Sequence, residues 1–220
     1  MGLNQSKGNM YPFVTHTWNA IKGRCPHDCS YCYMKRFPQK PVRLDLKEFN
    51  TDLGTKNFIF VGSSCDMFAD AIPDEWIIKT IEHCYRFKNT YLFQSKNPAR
   101  FENYKHGWTR QKVILGTTIE TNRYYSEMGG TPTPLRRAIS MARLANTQRT
   151  MLTIEPIMDF DMEALLQLVL MCQPEWVNIG ADSMLTRLPE PDAGKINELI
   201  AEIKDAGIEV KLKSNIHRLL

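Results

Sequence analysis

"TMLTIEPIMDFDMEALLQLVLMCQPEWVNIG", residues 150–180, reads as one complete β-α-β unit. Its outer runs, "TMLTIE" (150–155) and "EWVNIG" (175–180), are short and apolar, as strands buried on both faces are, while "DMEALLQLVLMC" (161–172) has helical length and composition. Two strands joined through a helix of that length run parallel. The same alternation extends outward in both directions. Further strands are expected at "FVTHTW" (13–18), "NFIFVG" (57–62), "TYLFQS" (90–95), "KVILGTT" (112–118) and "IEVKLK" (208–213). Helices are expected at "PDEWIIKTIEHCYRF" (73–87), opened by Pro73 and Asp74, at "TPLRRAISMARLA" (133–145), capped by Thr133, and at "DAGKINELIAEIKDAG" (192–207), ended by Gly207. Six or seven βα units fall short of an eight-unit barrel of about 250 residues. The expected fold is therefore α/β, a partial (β/α)6 TIM-type barrel forming a single domain over residues 1–220, with an open doubly wound sheet as the alternative. "MGGTPTP" (128–134) reads as a local loop.

Composition narrows the function classes. The chain has 220 residues, 43% of them hydrophobic, with no apolar run of membrane-spanning length and no secretory signal at its start, so a cytoplasmic location and no membrane partner are expected. Six cysteines in a chain of this size fit a reducing compartment better than a disulfide framework. A formal charge of +4 is compatible with an anionic substrate and decides nothing further.

Half of the cysteines sit in one loop, "RCPHDCSYCYMKRF" (24–37), as Cys25, Cys29 and Cys32, spaced C-x3-C-x2-C directly after the first expected strand. Loops in that position gather at the C-terminal mouth of a barrel, where chemistry is done. Three thiolates can hold three irons of a 4Fe-4S cluster and leave the fourth iron open, whereas an electron-transfer cluster takes four cysteines. The rival is a zinc ion in a non-enzymatic nucleic-acid-binding module; it needs a fourth ligand, either His27 within the loop or a distant cysteine such as Cys65 or Cys84.

The spacing with Tyr31 before the last cysteine resembles the signature of the radical S-adenosylmethionine (SAM) enzymes. Together with "FVGSSCDMFADAIPDEWI", "YLFQSKNPARF", "LGTTIETNRYY", "LTIEPIMDF" and "WVNIGADS", the chain is similar to a phage-type group of small radical SAM proteins, distantly like spore photoproduct lyase. The resemblance implies a 4Fe-4S cluster on the three cysteines, SAM on its open iron, and reductive cleavage of SAM to a 5'-deoxyadenosyl radical that abstracts hydrogen from substrate. It also implies an electron donor such as flavodoxin or ferredoxin. Nucleic acid or a nucleotide is the preferred substrate class, and a peptide or protein the alternative.

Strand-end residues are then expected to bind SAM. Gly62, Ser63 and Ser64 stand where the family contacts the methionine amino group, without the common Gly-Gly-Glu form. Lys96 is expected to pair with the SAM carboxylate, Thr117, Thr118 and Glu120 to meet the ribose hydroxyls, and Glu155 to orient the cofactor or a polar group of the substrate; helix capping and ion pairing are the structural alternatives for Glu120 and Glu155. Tyr31 and Tyr33 are expected to pack against adenine or the cluster, with ordinary core packing the alternative for Tyr33. Cys65 is either a hydrogen donor to a product radical or a buried core thiol, and Cys84 and Cys172 are expected in the core. His16 and Trp18 either face the barrel interior or are structural. Arg36, Arg100, Lys105, Arg110, Lys112, Arg136 and Arg137, interleaved with Phe101, Tyr104 and Trp108, offer a phosphate-tracking surface or ordinary solvated faces.

Overall fold

The computed structural model describes residues 2–109 and 112–220. Its main sheet has eight strands in the order β1-β2-β5-β6-β7-β8-β9-β10. These are β1 (Asn4–Gln5), β2 (His16–Trp18), β5 (Phe58–Val61), β6 (Thr90–Gln94), β7 (Val113–Thr118), β8 (Arg149–Ile154), β9 (Trp176–Ile179) and β10 (Glu209–Leu212). A separate antiparallel pair, β3 (Ile21–Lys22) and β4 (Arg43–Leu44), brackets the cysteine loop. From β2 to β10 every neighbouring pair is parallel, and only β1 runs antiparallel, on the outer edge of β2.

Seven parallel strands in simple sequence order settle the architecture. Right-handed crossovers that always advance in one direction put every connection on the same side, so the sheet curls into a barrel wall. A doubly wound sheet needs a reversal of strand order, and none occurs. Four crossovers carry α-helices: α1 (Asp74–Tyr85), α2 (Pro134–Ala145), α3 (Met162–Cys172) and α4 (Ala193–Asp205). The other two are irregular, one running through the cysteine loop and one through the 3-10 segment Pro98–Gly107.

The helices form where their sequences say. Thr133 accepts from the Arg136 N–H and Asp192 from the Lys195 N–H, each satisfying a first-turn donor. Beyond α4, Gly207 takes φ +80 while the Gly207 and Ile208 N–H groups bond back to Lys204 and Ile203.

Strand alternation divides the core in two. Ile59, Val61, Tyr91, Phe93, Leu115, Leu152 and Val177 point outward and pack with Ile77, Met141, Leu165 and Leu199 of the helices. The intervening Phe58, Phe60, Leu92, Ile114, Met151 and Trp176 point inward and pack on Tyr11 and Val14. The interior is therefore plugged at its base by residues 10–14. Phe13 lies 5.1 Å from Phe58 and 5.2 Å from Trp176, and Lys211 of β10 sits over both the Phe13 and Trp176 rings. Those contacts bridge the seam where β2 and β10 are not hydrogen bonded. The N-terminal segment thus packs across this seam at the base of the barrel.

The same alternation decides between the two readings of His16 and Trp18 in favour of the structural one. Thr17 lines the interior cavity, so its neighbours face the helix side, where Trp18 is fully buried and stacked on His83 at 4.9 Å.

Candidate active site

A cavity of about 590 Å3 occupies the C-terminal end of the barrel, above the apolar plug. Every parallel strand contributes to its wall at or near its end: Thr17, Gly62, Gln94, Thr118, Glu155, Ala181 and Lys213. Cys25, Cys29 and Cys32 line it on one side and also ring a smaller adjoining cavity of about 280 Å3.

The cysteine loop is held by backbone contacts from the β7–α2 loop. Met128 O accepts from the Cys29 thiol at 3.2 Å, Glu127 O from the Ser30 N–H at 2.8 Å, and His27 O from the Gly130 N–H at 2.8 Å. Gly129 has φ +63, and a Cβ there would stand 2.1 Å from His27 O, so only glycine allows this approach. "MGGTPTP" is thus the bracket of the cysteine loop as well as a turn.

The thiols differ in environment. Cys65 is buried beside Cys25, and its hydrogen bond brings the Cys25 thiol down to about 6 against the opposing effect of burial. The same bond, with burial, raises Cys65. Burial also raises Cys29 and Cys32. A depressed thiol pKa favours thiolate, the ligating form. Cys84 and Cys172 are core residues, as expected.

The other metal-competent side chains of the loop are already committed. His27 Nε2 pairs with Asp66 at 3.0 Å; burial opposes the charged ring, but the carboxylate outweighs it and raises the His27 pKa. Asp28 is held by Arg24 at 2.7 Å and Lys35 at 3.0 Å. Among the described residues no group of three or more His, Cys, Asp or Glu side chains is placed to hold a single metal ion. Three thiols lining one shared space are the ligand set of a 4Fe-4S cluster with one open iron.

Lys96, at the end of β6, lies over the Tyr31 ring at 4.4 Å, donates to Tyr31 OH at 2.8 Å and pairs with Glu120 at 2.5 Å. Tyr31 OH in turn donates to Glu120 at 2.6 Å. The second Glu120 oxygen pairs with Arg137 at 2.7 Å, and both of these side chains are 0% exposed. Burial alone would raise the Glu120 carboxyl, but Arg137 and Lys96 prevail and bring it to about 2. One carboxylate between two cations leaves a surplus positive charge, and of the three only Lys96 lines the cavity.

Gly62, at φ +80, and Ser63 and Ser64 line the cavity in a turn secured by Asn19, which accepts from the Ser64 N–H at 3.0 Å. Tyr33, partly exposed, donates to Ser63 O at 2.8 Å. Thr118 faces the cavity and accepts from Gln94 at 3.0 Å. Two expectations need correction: Thr117 and Glu120 are fully buried away from it, Thr117 donating to Ser95 O at 2.7 Å and Glu120 serving the two cations, so neither is placed to meet a ribose.

Across the cavity Glu155 accepts from Asn9 at 2.8 Å, Asn215 at 3.1 Å and Lys213 at 2.6 Å. Asn9, Tyr11, Lys213 and Asn215, like Arg137, escape sequence reasoning. Lys213 was in principle findable, since it ends β10 as Lys96 ends β6.

Of the two readings of the basic and aromatic residues, the phosphate-tracking surface is not assembled among the described residues. Phe101, Tyr104 and Trp108 are buried in a ring cluster with Phe68 and Phe93, Arg137 is internal, and Arg100 is tied to Asp74 and to backbone carbonyls. Of its members only Arg36 lines the cavity, and Arg110 lies outside the described residues. No described helix is long and apolar enough to cross a membrane.

No protein-family model and no curated protein matches the chain. Solved structures do. A cysteine-to-serine mutant of spore photoproduct lyase superimposes with TM-score 0.69 at 15% identity, over 96% of this chain and 78% of that one. Another spore photoproduct lyase mutant, with bound AdoMet and dinucleoside spore photoproduct, gives 0.58 at 14% identity over 90% and 63%. A radical SAM methyltransferase from Sphaerobacter thermophilus gives 0.60 at 16% identity over 93% and 67%. Strand order, barrel seam and superposition agree: this chain has the partial-barrel fold of the radical SAM enzymes.

Proposed function

We propose that the chain is a cytoplasmic radical SAM enzyme in which Cys25, Cys29 and Cys32 hold a 4Fe-4S cluster and the adjoining cavity takes SAM and substrate. The observation that carries this reading is the trio of thiols around one space, with His27 and Asp28 already engaged elsewhere. When bound, those groups supply homolytic chemistry, the reductive cleavage of SAM to a hydrogen-abstracting 5'-deoxyadenosyl radical, with the electron coming from a flavodoxin or ferredoxin.

The chain's own residues position and shield. Lys96 presents the surplus charge of its buried triad to the SAM carboxylate, and Arg137 keeps Glu120 from neutralising it. The turn at Gly62, Ser63 and Ser64 offers small groups for the methionine amino end, and the Thr118 hydroxyl retains a donor for the ribose. Tyr31 and Tyr33 form the aromatic wall on the cluster side. The plug formed by residues 10–14 excludes water from below.

Cys65 is assigned as hydrogen donor: its S–H bond breaks, a C–H bond forms on the product radical, and the odd electron stays on sulfur. The substrate is assigned as a nucleotide or nucleic acid. Support comes from a fold neighbour that holds a dinucleoside photoproduct and from the aromatic cavity wall.

Anaerobic reconstitution tests the proposal. Binding of about four iron and four sulfide per chain, with 5'-deoxyadenosine formed from SAM under reductant, is the expected result. Stoichiometric zinc without SAM cleavage would falsify it.

A further inference from the structure

Two lysine-glutamate-tyrosine groupings stand behind different walls of the cavity. One is Lys96, Glu120 and Tyr31. The other is Lys213, Glu155 and Tyr11, with the Lys213 ammonium 2.6 Å from Glu155 and 4.6 Å from the centre of the Tyr11 ring. Lys213 is only 8% exposed, yet all three residues line the cavity.

Their electrostatics differ. The first grouping includes Arg137 and carries a net positive charge, which suits an anion. In the second, one cation faces one carboxylate, so an incoming carboxylate or phosphate would gain from Lys213 and lose to Glu155.

The unused bonding capacity of the second grouping is specific. Glu155 Oε1 already accepts from Asn9 and Asn215, while Oε2 accepts only from Lys213, which leaves one acceptor site of about four. Lys213 spends one of its three N–H donors on Glu155. The wall thus presents a donor and an acceptor side by side. The Tyr11 hydroxyl is bonded to Gln94 and Thr153, each at 2.8 Å, and its ring is stacked on Phe13 at 5.3 Å, which fixes it beneath the Lys213 ammonium. The Glu155 carboxyl is fixed too: a Cβ on Gly180 would stand 2.8 Å from it.

We infer that Lys213 and Glu155, positioned over the buried Tyr11 ring, form a substrate subsite that reads a lactam edge, a carbonyl oxygen beside a ring N–H, on a nucleobase in the cavity. Lys213 donates to the carbonyl and Glu155 accepts from the N–H. The inference rests on the nucleotide reading above and names the part of the substrate that reaches the interior.

Its test needs no cluster. Thymidine is titrated calorimetrically into the metal-free, reduced chain, alongside N3-methylthymidine, which lacks the ring N–H. The wild type is expected to bind thymidine saturably. Methylation, Lys213→Met and Glu155→Gln should each weaken binding at least about tenfold, the scale of a hydrogen bond to a charged group.

Absent saturation, equal binding of the methylated probe, or variants that fold and bind as tightly as wild type would overturn the subsite. So would inorganic phosphate that competes with thymidine and loses its hold in Lys213→Met, since that marks an anion site. If a variant fails to fold, the comparison of the two probes on wild type still decides. Failure of reconstitution strikes the radical SAM reading instead, so the two failures are distinguishable.

Discussion

Replacing Arg137 with methionine probes the buried charge system most sharply. The guanidinium donates to Glu120 Oε2 and to Pro132 O and Thr131 Oγ1 at 2.7 Å each, and to Thr118 O at 2.8 Å, with neither ionic partner exposed. Methionine retains much of the volume and none of the donors. Breaking a buried pair from one side costs about 3–5 kcal/mol, because the remaining charge stays desolvated. For a chain of this size that corresponds to a fall in Tm of about 6–20 °C. Glu120→Gln strands two cations instead and should cost a similar amount. The double variant removes the conflict that each single change creates, so its loss should be smaller than the sum by about 1–3 kcal/mol. Thermal and urea unfolding of the metal-free, reduced protein, followed by circular dichroism, give all four corners of the cycle. A Tm loss below about 2 °C for Arg137→Met, or strict additivity in the double variant, would refute the reasoning.

The pH dependence has a definite sign. Glu120 is held at about 2 against an ordinary 4.5, so its contribution is fully present above pH 4.5 and is lost as pH falls toward 2; acid unfolding in which Glu120→Gln abolishes that part of the slope is the expected record. Gly129→Ala places a methyl 2.1 Å from His27 O at φ +63, and should lower iron incorporation while costing at least about 1–3 kcal/mol from the backbone alone. Lys96→Met should weaken SAM binding about tenfold or more, measured by equilibrium dialysis. Cys65→Ala should retain SAM cleavage but stop turnover at an intermediate or divert the product; normal product in normal yield, seen by mass spectrometry, removes the donor assignment.

Much of the fold was legible because the central parallel strands β5 to β9 are largely apolar runs and the four α-helices carry 3.6-residue periodicity. What periodicity cannot tell is which strand face looks inward when both are buried, and this is why Thr17, rather than His16 or Trp18, meets the cavity. The cysteine loop and the strand-end residues Gly62, Lys96, Thr118 and Glu155 were expected at the barrel mouth, and they line the cavity there. Thr117 and Glu120 misled: within β7 Thr117 points to the opposite side from Thr118, and Glu120, beyond the strand, is held inside by Arg137 and Lys96.

Arg137 was missed because a basic pair on a helix reads as a solvated face. Yet Pro134, Arg137, Met141 and Leu144 fall at helical spacing, which placed Arg137 on the buried side all along. Asn9 and Tyr11 had no local signal. Their role comes from the chain crossing the barrel seam, a tertiary event that no short window contains.

The central claim is that one iron of the cluster has no protein ligand. Electron paramagnetic resonance of the anaerobically reconstituted, reduced protein, recorded before and after adding SAM, tests it directly. A cluster signal that shifts on addition of SAM, and disappears in Cys25→Ala, Cys29→Ala and Cys32→Ala, is the predicted result. A signal indifferent to SAM, or the failure of any such cluster to assemble on the intact loop, contradicts it.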